Sequence, residues 1–353
     1  MADILIVGAG PTGLTAALSL AALGITPRII EARTNASNLS RAVGLLPGSM
    51  TIFDHLGIAE RVRGEAVTIE EARILRDGHL AVDLRLDADP DPNVRLLSLP
   101  QDRTEAILAE ALAERGVTVE YGKACKGLIQ DESGVTVAIE GGEEIRAHEV
   151  LGADGAKSAV RQALGLKAEG IELPEDWSIA DVELAEPVPP ATTIHLNGAH
   201  DAVFMIPMER SRVRLVSNTS DALATFGPGL AIARVRREAK FRISVKQVPT
   251  YRVGHVALAG DAAHTHSPVG GRGMNLGIDD AAHFAEALSD GSLAGYSAAR
   301  HAVGAHTIGL SERARKTLLG GSGTRRTVGV TLMRLASRNP ALARKLARTI
   351  ILG

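Results

Sequence analysis

Glycine spacing constrains this chain more than any other feature. The run Gly8-Ala9-Gly10-Pro11-Thr12-Gly13 follows an unbroken apolar tetrad, Ile4-Leu5-Ile6-Val7, and precedes an Ala/Leu-rich stretch, Leu14 to Leu23, that stops at Gly24. A strand buried on both faces reads as a continuous apolar run, and glycine is the usual stop signal of a helix. Pro27-Arg28-Ile29-Ile30-Glu31 then reads as a second strand tipped by an acid, 18 residues after Gly13. Strand, tight turn, helix and acid-tipped strand together form a dinucleotide-binding arrangement, so an α/β fold with a Rossmann-like parallel sheet is expected.

Each position has a physical reason. Gly8 admits the tight turn, Gly10 leaves the backbone open to a pyrophosphate, and Gly13 lets the helix pack close to the strand. With Pro11 and Thr12, the helix start offers free N–H groups and a positive pole to phosphates. Glu31, followed by Ala32 and Arg33, is placed to accept hydrogen bonds from an adenosine ribose, and its charge disfavours a 2′-phosphate. A ligand-free glycine turn is the alternative, and the coincidence of strand, helix and acid weighs against it. The fingerprint alone does not separate NAD from FAD.

Length and charge narrow the class further. A chain of 353 residues suits two intertwined domains or one large one. A formal charge of −2 gives no reason to expect a nucleic-acid partner, and 3% aromatic residues argue against a stacking platform. Cys125 is the single cysteine, which excludes an internal disulfide and fits a reducing, cytoplasmic setting. The first residues carry Asp3 and no basic cluster, so a signal peptide is not expected, and no apolar stretch of about 18 residues suggests a membrane span.

Further motifs come in a fixed order. Ser40-Arg41-Ala42 precedes a helix-like run from Pro47 to Leu56, and Leu99-Pro100-Gln101 opens an amphipathic helix reaching Leu112. Gly152-Ala153-Asp154-Gly155 leads into Ser158-Ala159-Val160-Arg161, and Gly260-Asp261-Ala262-Ala263-His264 leads into Pro268-Val269-Gly270-Gly271-Arg272-Gly273-Met274-Asn275. In this order and spacing the chain resembles the class A flavoprotein monooxygenases of the para-hydroxybenzoate hydroxylase type, nearest to the aromatic polyketide and phenol hydroxylases. The resemblance covers residues 1–170 and 250–295, and it implies bound FAD.

By that resemblance Arg41 and Gln101 contact the flavin and its phosphate bridge. Asp154 and Gly155 serve FAD and the approach of NADPH or NADH, and Gly260 and Asp261 hold the ribityl chain. Gly271, Gly273, Met274 and Asn275 start a helix aimed at the pyrimidine edge, where reduction builds negative charge. Pro268, Gly270 and Arg272 are the catalytic candidates. The family usually has glutamine at the position of Arg272. Stronger anion stabilisation, altered nicotinamide docking and a solvent-facing side chain all stay open. The implied activity is hydroxylation of a small phenolic or polyketide-like aromatic substrate through a flavin C4a-hydroperoxide, with dioxygen and a transient NAD(P)H. A flavin oxidoreductase without oxygen transfer, and an accessory FAD-binding protein, are the alternatives.

The expected organisation is a discontinuous FAD-binding domain (1–70, 98–170, 252–295), a mainly antiparallel sheet domain (71–97, 171–251) and C-terminal helices (296–353). Only about 95 residues separate Gln162 from Val256, so the substrate-covering layer is expected to be trimmed, and a thioredoxin-like C-terminal domain found in many relatives is not expected. Alternation at Ile74, Leu80, Val82, Leu84 and Leu86, with turns at Asp77-Gly78 and Asp89-Pro90, reads as strands. So do Ser178–Leu184, Thr192–Leu196, Val203–Ile206 and Val213–Ser217. Phe204, Met205 and Met208 either line a pocket or fill the sheet core. His264-Thr265-His266 lacks further ligands nearby, so no metal is expected. Ser311–Gly353 holds ten Lys/Arg and one acid, Glu312. Leu332, Leu335, Leu342 and Leu346 are expected to pack on the FAD-binding domain, peripheral contact with an anionic membrane being the alternative.

Overall fold

The strand Ala2–Val7 pairs in parallel with Glu144–Gly152 on one side and Arg28–Glu31 on the other. In this computed structural model, which describes residues 2–37, 42–320 and 323–352, Val119–Tyr121 and Val256–Leu258 extend the parallel sheet outward. Arg252–Val253 adds an antiparallel edge. Leu5, Ile6, Ile29, Ile30, Val150 and Leu151 are fully buried, as strands covered on both faces require. Cys125–Asp131 and Gly134–Ile139 form an antiparallel meander leading into Glu144–Gly152. Helices Pro11–Ala22, Gln101–Glu114 and Gly273–Ser289 pack side by side.

Register sets the position of the site. Val7 lies level with Gly152 and with Ile30, and Gly152 lies level with Leu258. The chain therefore leaves three neighbouring strands at one edge: into Gly8 after Val7, into Ala153-Asp154 after Gly152, and into Ala259-Gly260 after Leu258. Ligands of open α/β sheets bind beyond such carboxyl ends.

The second sheet runs His264–Thr265, Ile232–Gln247, Glu169–Leu184, Arg212–Ser217, Asp201–Pro207, Ala191–Asn197, Glu71–Arg76, His79–Arg85. All its pairs are antiparallel except Ala191–Leu196 with Glu71–Arg76. Successive side chains alternate between its faces. Ala180, Val182, Val203, Met205, Val213 and Leu215 form a core under the short helix Ala222–Phe226. Trp177, Leu196 and Val216 face the other way, in a core that takes in Val269, Leu318 and Val330. Met205 thus belongs to the sheet core. Asp77 and Gly78, with φ of 48° and 81°, make the tight turn between two of these strands.

Two features differ from the sequence reading. Ile232–Gln247 is a 16-residue strand that the pattern did not mark. Arg234, Arg236, Arg237, Lys240 and Arg242 interrupt any apolar alternation, because much of its length is exposed near an edge. At the C-terminus, the stripe Leu332, Leu335, Leu342 and Leu346 does not form one packing face. The helix ends at Ser337 and a new one begins at Pro340, with Asn339 Oδ1 accepting from Ala341 and Leu342 N–H groups at 3.0 and 3.2 Å. That break divides the stripe. Leu332, Leu335 and Leu342 stand exposed, while Ala343, Leu346, Ala347 and Ile351 pack on Ile69, Leu84, Leu86 and Val94.

Candidate functional site

The three turns interlock through buried contacts. A Cβ on Gly8 would lie 2.4 Å from the Ala153 carbonyl oxygen, so the first turn abuts the second. Thr12 points inward, into a notch between Gly260 and Gly277. A Cβ at either glycine would lie 2.6 or 2.3 Å from Thr12 Oγ1. Arg161 donates to the Ala262 carbonyl at 3.0 Å and to the Ala156 carbonyl at 2.7 Å, tying the second turn to the third. Asp280 is fully buried and braces the third turn: Oδ2 accepts from Gly260 N–H at 3.0 Å and lies 2.6 Å from His264 Nε2, while Oδ1 accepts from Arg300 at 2.7 Å. Burial pushes its pKa up, but His264 and Arg300 outweigh that and hold it below the usual carboxylate range.

What faces the edge is largely backbone and unsatisfied polar groups. The helix Pro11–Ala22 starts at Gly10 with no side-chain cap, and nothing lies within 4 Å of where a Gly10 Cβ would be. Gly13 sits against the Gly8 carbonyl, closing the turn. Asp154 Oδ2 accepts from Ala159 and Val160 N–H groups at 2.7 and 3.2 Å, starting the short helix Ala159–Ala163, while Oδ1 is buried without a partner. Burial raises its pKa against those bonds. Gly155 follows with φ of 80°. Asp261 is exposed.

Glu31 is more occupied than its expected ribose role suggests. Its carboxylate accepts from Ala9 N–H at 2.7 Å and Arg33 N–H at 2.9 Å, and pairs with the Arg33 guanidinium. Burial would raise its pKa, yet these donors hold it low. Ala32 lies between, and Arg33 reaches on to Glu105 at 3.4 Å. Gln101 Oε1 accepts from Ala42 N–H at 3.0 Å, and Nε2 donates to Glu105 at 2.8 Å. Arg41 lies outside the described residues.

The loop after the third turn spans both sheets. His264–Thr265 pairs with Lys246 and Gln247, and Val269 enters the second core, while Pro268, Gly270 and Gly271 are exposed. Gly273–Ser289 then begins without a side-chain cap. Met274 is half-buried at its start. Asn275 side-chain atoms bond to Leu46 N–H, Ser49 Oγ, the Gly44 carbonyl and the Gly271 carbonyl, all within 3.0 Å, so that side chain braces protein and only its backbone remains for a ligand. Arg272 is half-buried, forms no ion pair among the described residues, and donates to the Ile350 carbonyl at 3.1 Å. It is thus turned towards the last helix, and burial lowers its pKa. His266 Nδ1 donates to the Ser267 carbonyl at 2.9 Å, and its ring lies against Gly273 with Nε2 buried and unpartnered.

The sequence reading missed the bracing roles of Arg161, Asp280 and Arg300. Their signal was faint: an acid at helical position 280 becomes informative only once Arg300 and His264 are known to meet it.

An uncapped helix start, an orphaned carboxylate oxygen, an exposed aspartate and a second uncapped helix start follow one another along this edge. That order of donors and acceptors fits a pyrophosphate, a polyhydroxyl chain and a hydrogen-bonding ring, and so fits FAD. The fold and edge therefore define a flavoprotein of the dinucleotide-binding class. Residues 1–225 and 218–309 match the family described as FAD binding domain. Rifampicin monooxygenase of Streptomyces venezuelae is 32% identical over 335 residues, covering 87% of this chain and 70% of that protein. Pentachlorophenol 4-monooxygenase of Sphingobium chlorophenolicum is 32% identical, covering 79% of this chain and 56% of that one. The chain spans 55% to 73% of the length of several such curated relatives. Among solved structures, p-nitrophenol 4-monooxygenase from Pseudomonas putida superposes with a TM-score of 0.88 at 24% identity, covering 99% of this chain and 97% of that one. The anhydrotetracycline hydroxylase of Streptomyces rimosus gives 0.78 at 28%, covering 99% and 76%. The chain belongs to the FAD-binding family of class A aromatic monooxygenases.

Proposed function

We propose that this chain, carrying FAD, hydroxylates a small phenolic or polyketide-like aromatic substrate with dioxygen and NADPH or NADH. The observation that carries the reading is the level alignment of Val7, Gly152 and Leu258, which brings three turns to one sheet edge beside a loop that reaches the second sheet. Bound FAD supplies hydride acceptance and oxygen activation.

The chain's own residues have three tasks. The uncapped starts of Pro11–Ala22 and Gly273–Ser289 stabilise negative charge on the phosphates and on the reduced ring, and the Arg272 cation stands beside the second of them. Asp154 Oδ1 and Asp261 accept hydrogen bonds from the ligand's hydroxyls. Phe204 and Val216, on the Val269 side of the second sheet, supply an apolar wall that holds a ring and excludes water. On the same face of the sheet Arg214 and Asp181 form a buried bidentate pair at 2.7 Å, which fixes the two strands against each other. The sequence contains one dinucleotide fingerprint, so the nicotinamide visits transiently.

The test is NADPH oxidation and oxygen uptake by the reconstituted protein over a panel of phenols, with product mass read in labelled dioxygen. Substrate-stimulated turnover with one labelled oxygen per product supports the reading. Anaerobic turnover at an undiminished rate, without label, overturns it.

A further inference from the structure

The two last helices carry a surface that the chemistry at the sheet edge does not use. On Gly323–Ser337, Val328, Leu332 and Leu335 are 53%, 61% and 56% exposed. They fall at i, i+4 and i+7, one stripe of the helix. Leu342, Ile350 and Leu352 on Pro340–Leu352 are exposed as well. Six of the thirteen exposed large hydrophobic residues among the described residues thus lie on these two helices. Apolar exposure this concentrated marks an interaction surface rather than the scattered exposure normal for a protein exterior.

Charge says what covers it. Residues 313–353 hold ten Lys/Arg and no Asp or Glu, whereas residues 1–312 hold 29 Lys/Arg against 41 Asp/Glu, a formal charge of −12. Along the body, surface arginines are commonly paired, as in Arg28–Glu120, Arg61–Glu114 and Arg103–Glu65. Exposed Arg334, Arg338, Arg344 and Lys345 form no ion pair among the described residues. Arg348 does pair, with Asp89, and that contact helps seat the last helix. In a symmetric pair of copies this face would meet itself and set its unpaired cations against one another, and nucleic acid would leave the leucines in contact with water. Unpaired cations around exposed leucines match lipid phosphates around acyl chains.

We infer that the exposed face of Gly323–Ser337 and Pro340–Leu352 docks reversibly on an anionic lipid bilayer. Leu332, Leu335 and Leu342 enter the headgroup boundary, and Arg334, Arg338, Arg344 and Lys345 contact the phosphates. Docking is peripheral, since no helix among the described residues is long and apolar enough to cross a membrane. The acidic body is repelled by the same surface, so the charge asymmetry orients the molecule with these helices downward.

The holoprotein is sedimented with vesicles of phosphatidylglycerol and phosphatidylcholine, and with phosphatidylcholine alone, at low and high salt. Binding to the anionic vesicles only, lost as salt rises, is expected, with a loss of about fivefold for each cation removed. L332S/L335S and R334E/R338E each weaken binding at least tenfold, while bound-flavin absorbance and the unfolding midpoint stay as in the parent. Absence of sedimentation at low salt overturns the inference, as does equal binding to neutral vesicles. So does a concentration-dependent dimer abolished by L332S/L335S, or duplex DNA binding abolished by R334E/R338E, if vesicles are not bound. None of these outcomes depends on whether the flavin hydroxylates a phenol.

Discussion

The parallel-sheet edge and the second sheet use opposite parts of the chain to make a surface. At the edge, Thr12, Arg161, Asp280 and Asn275 turn inward and brace one turn against another, which leaves backbone N–H groups facing outward. In the second sheet the backbone is consumed by strand pairing, and side chains such as Phe204 and Val216 make the wall. The edge is therefore sensitive to added atoms and lost braces, but indifferent to many outward side chains. The wall tolerates backbone-neutral changes and answers to side-chain shape. On the function proposed above, one region holds the cofactor and the other selects what lies against it.

The largest effects that test this contrast come from the two buried ionic groups. Asp280→Ala leaves the buried Arg300 with Asp279 alone and releases Gly260, while Arg214→Met leaves Asp181 uncompensated on the face of Val216. Each costs about 3–5 kcal/mol by the behaviour of broken buried pairs, read as a lower urea midpoint. Asp280→Ala also loses FAD on gel filtration, and Arg214→Met retains it. Equal FAD loss in both would erase the distinction between the regions.

Next comes Gly277→Ala. Its methyl meets Thr12 Oγ1 at 2.3 Å, and overpacking of this kind costs about 1–3 kcal/mol, which, taken wholly from binding, weakens FAD affinity about fivefold to 150-fold by flavin fluorescence. Thr12→Ala removes the obstacle, so the double variant recovers part of that affinity. No recovery would mean that the notch is not what couples the two turns.

Acid supplies a milder test. Burial depresses the pKa of His266 below its unfolded value of about 6.5. Near that pH the unfolded chain binds a proton that the folded chain refuses, so stability is complete above about pH 6.5 and falls as pH drops through it. His266→Gln flattens the slope of stability between about pH 7 and pH 5. An unchanged slope assigns the acid sensitivity to other groups.

The smallest effect concerns Arg272→Gln, which removes a cation at the start of Gly273–Ser289 and its bond to the Ile350 carbonyl. The flavin midpoint potential falls by about 30 mV for each tenfold loss in relative affinity for the reduced form. An unchanged potential would show that the guanidinium is too far engaged with the last helix to act on the ring.

How legible each region was follows the same contrast. The glycine turn, Pro47–Leu56 and the strands from Glu71 to Ser217 carried strong periodic or turn signals, because their side chains divide cleanly into buried and exposed. Ile232–Gln247 hid behind its arginines and lysines, since a largely exposed strand near an edge needs no apolar face. The C-terminal leucines misled because Asn339-Pro340 restarts the helix and resets the face that four leucines at near-helical spacing imply. At the site, the turns could be read and the braces could not. Asp280 and Arg300 are 20 residues apart on different helices, and only tertiary packing makes a buried acid intelligible.

The level endings of Val7, Gly152 and Leu258 make strand length a ruler. Removing one residue from the middle of Ala2–Val7 would pull Gly8 back by about 3.3 Å and swap the faces of every residue behind the cut. Removing two would restore the faces and still withdraw the phosphate-facing amides by about twice that distance. A shortened chain of the second kind should remain folded and colourless, its sheet intact and its coenzyme out of reach.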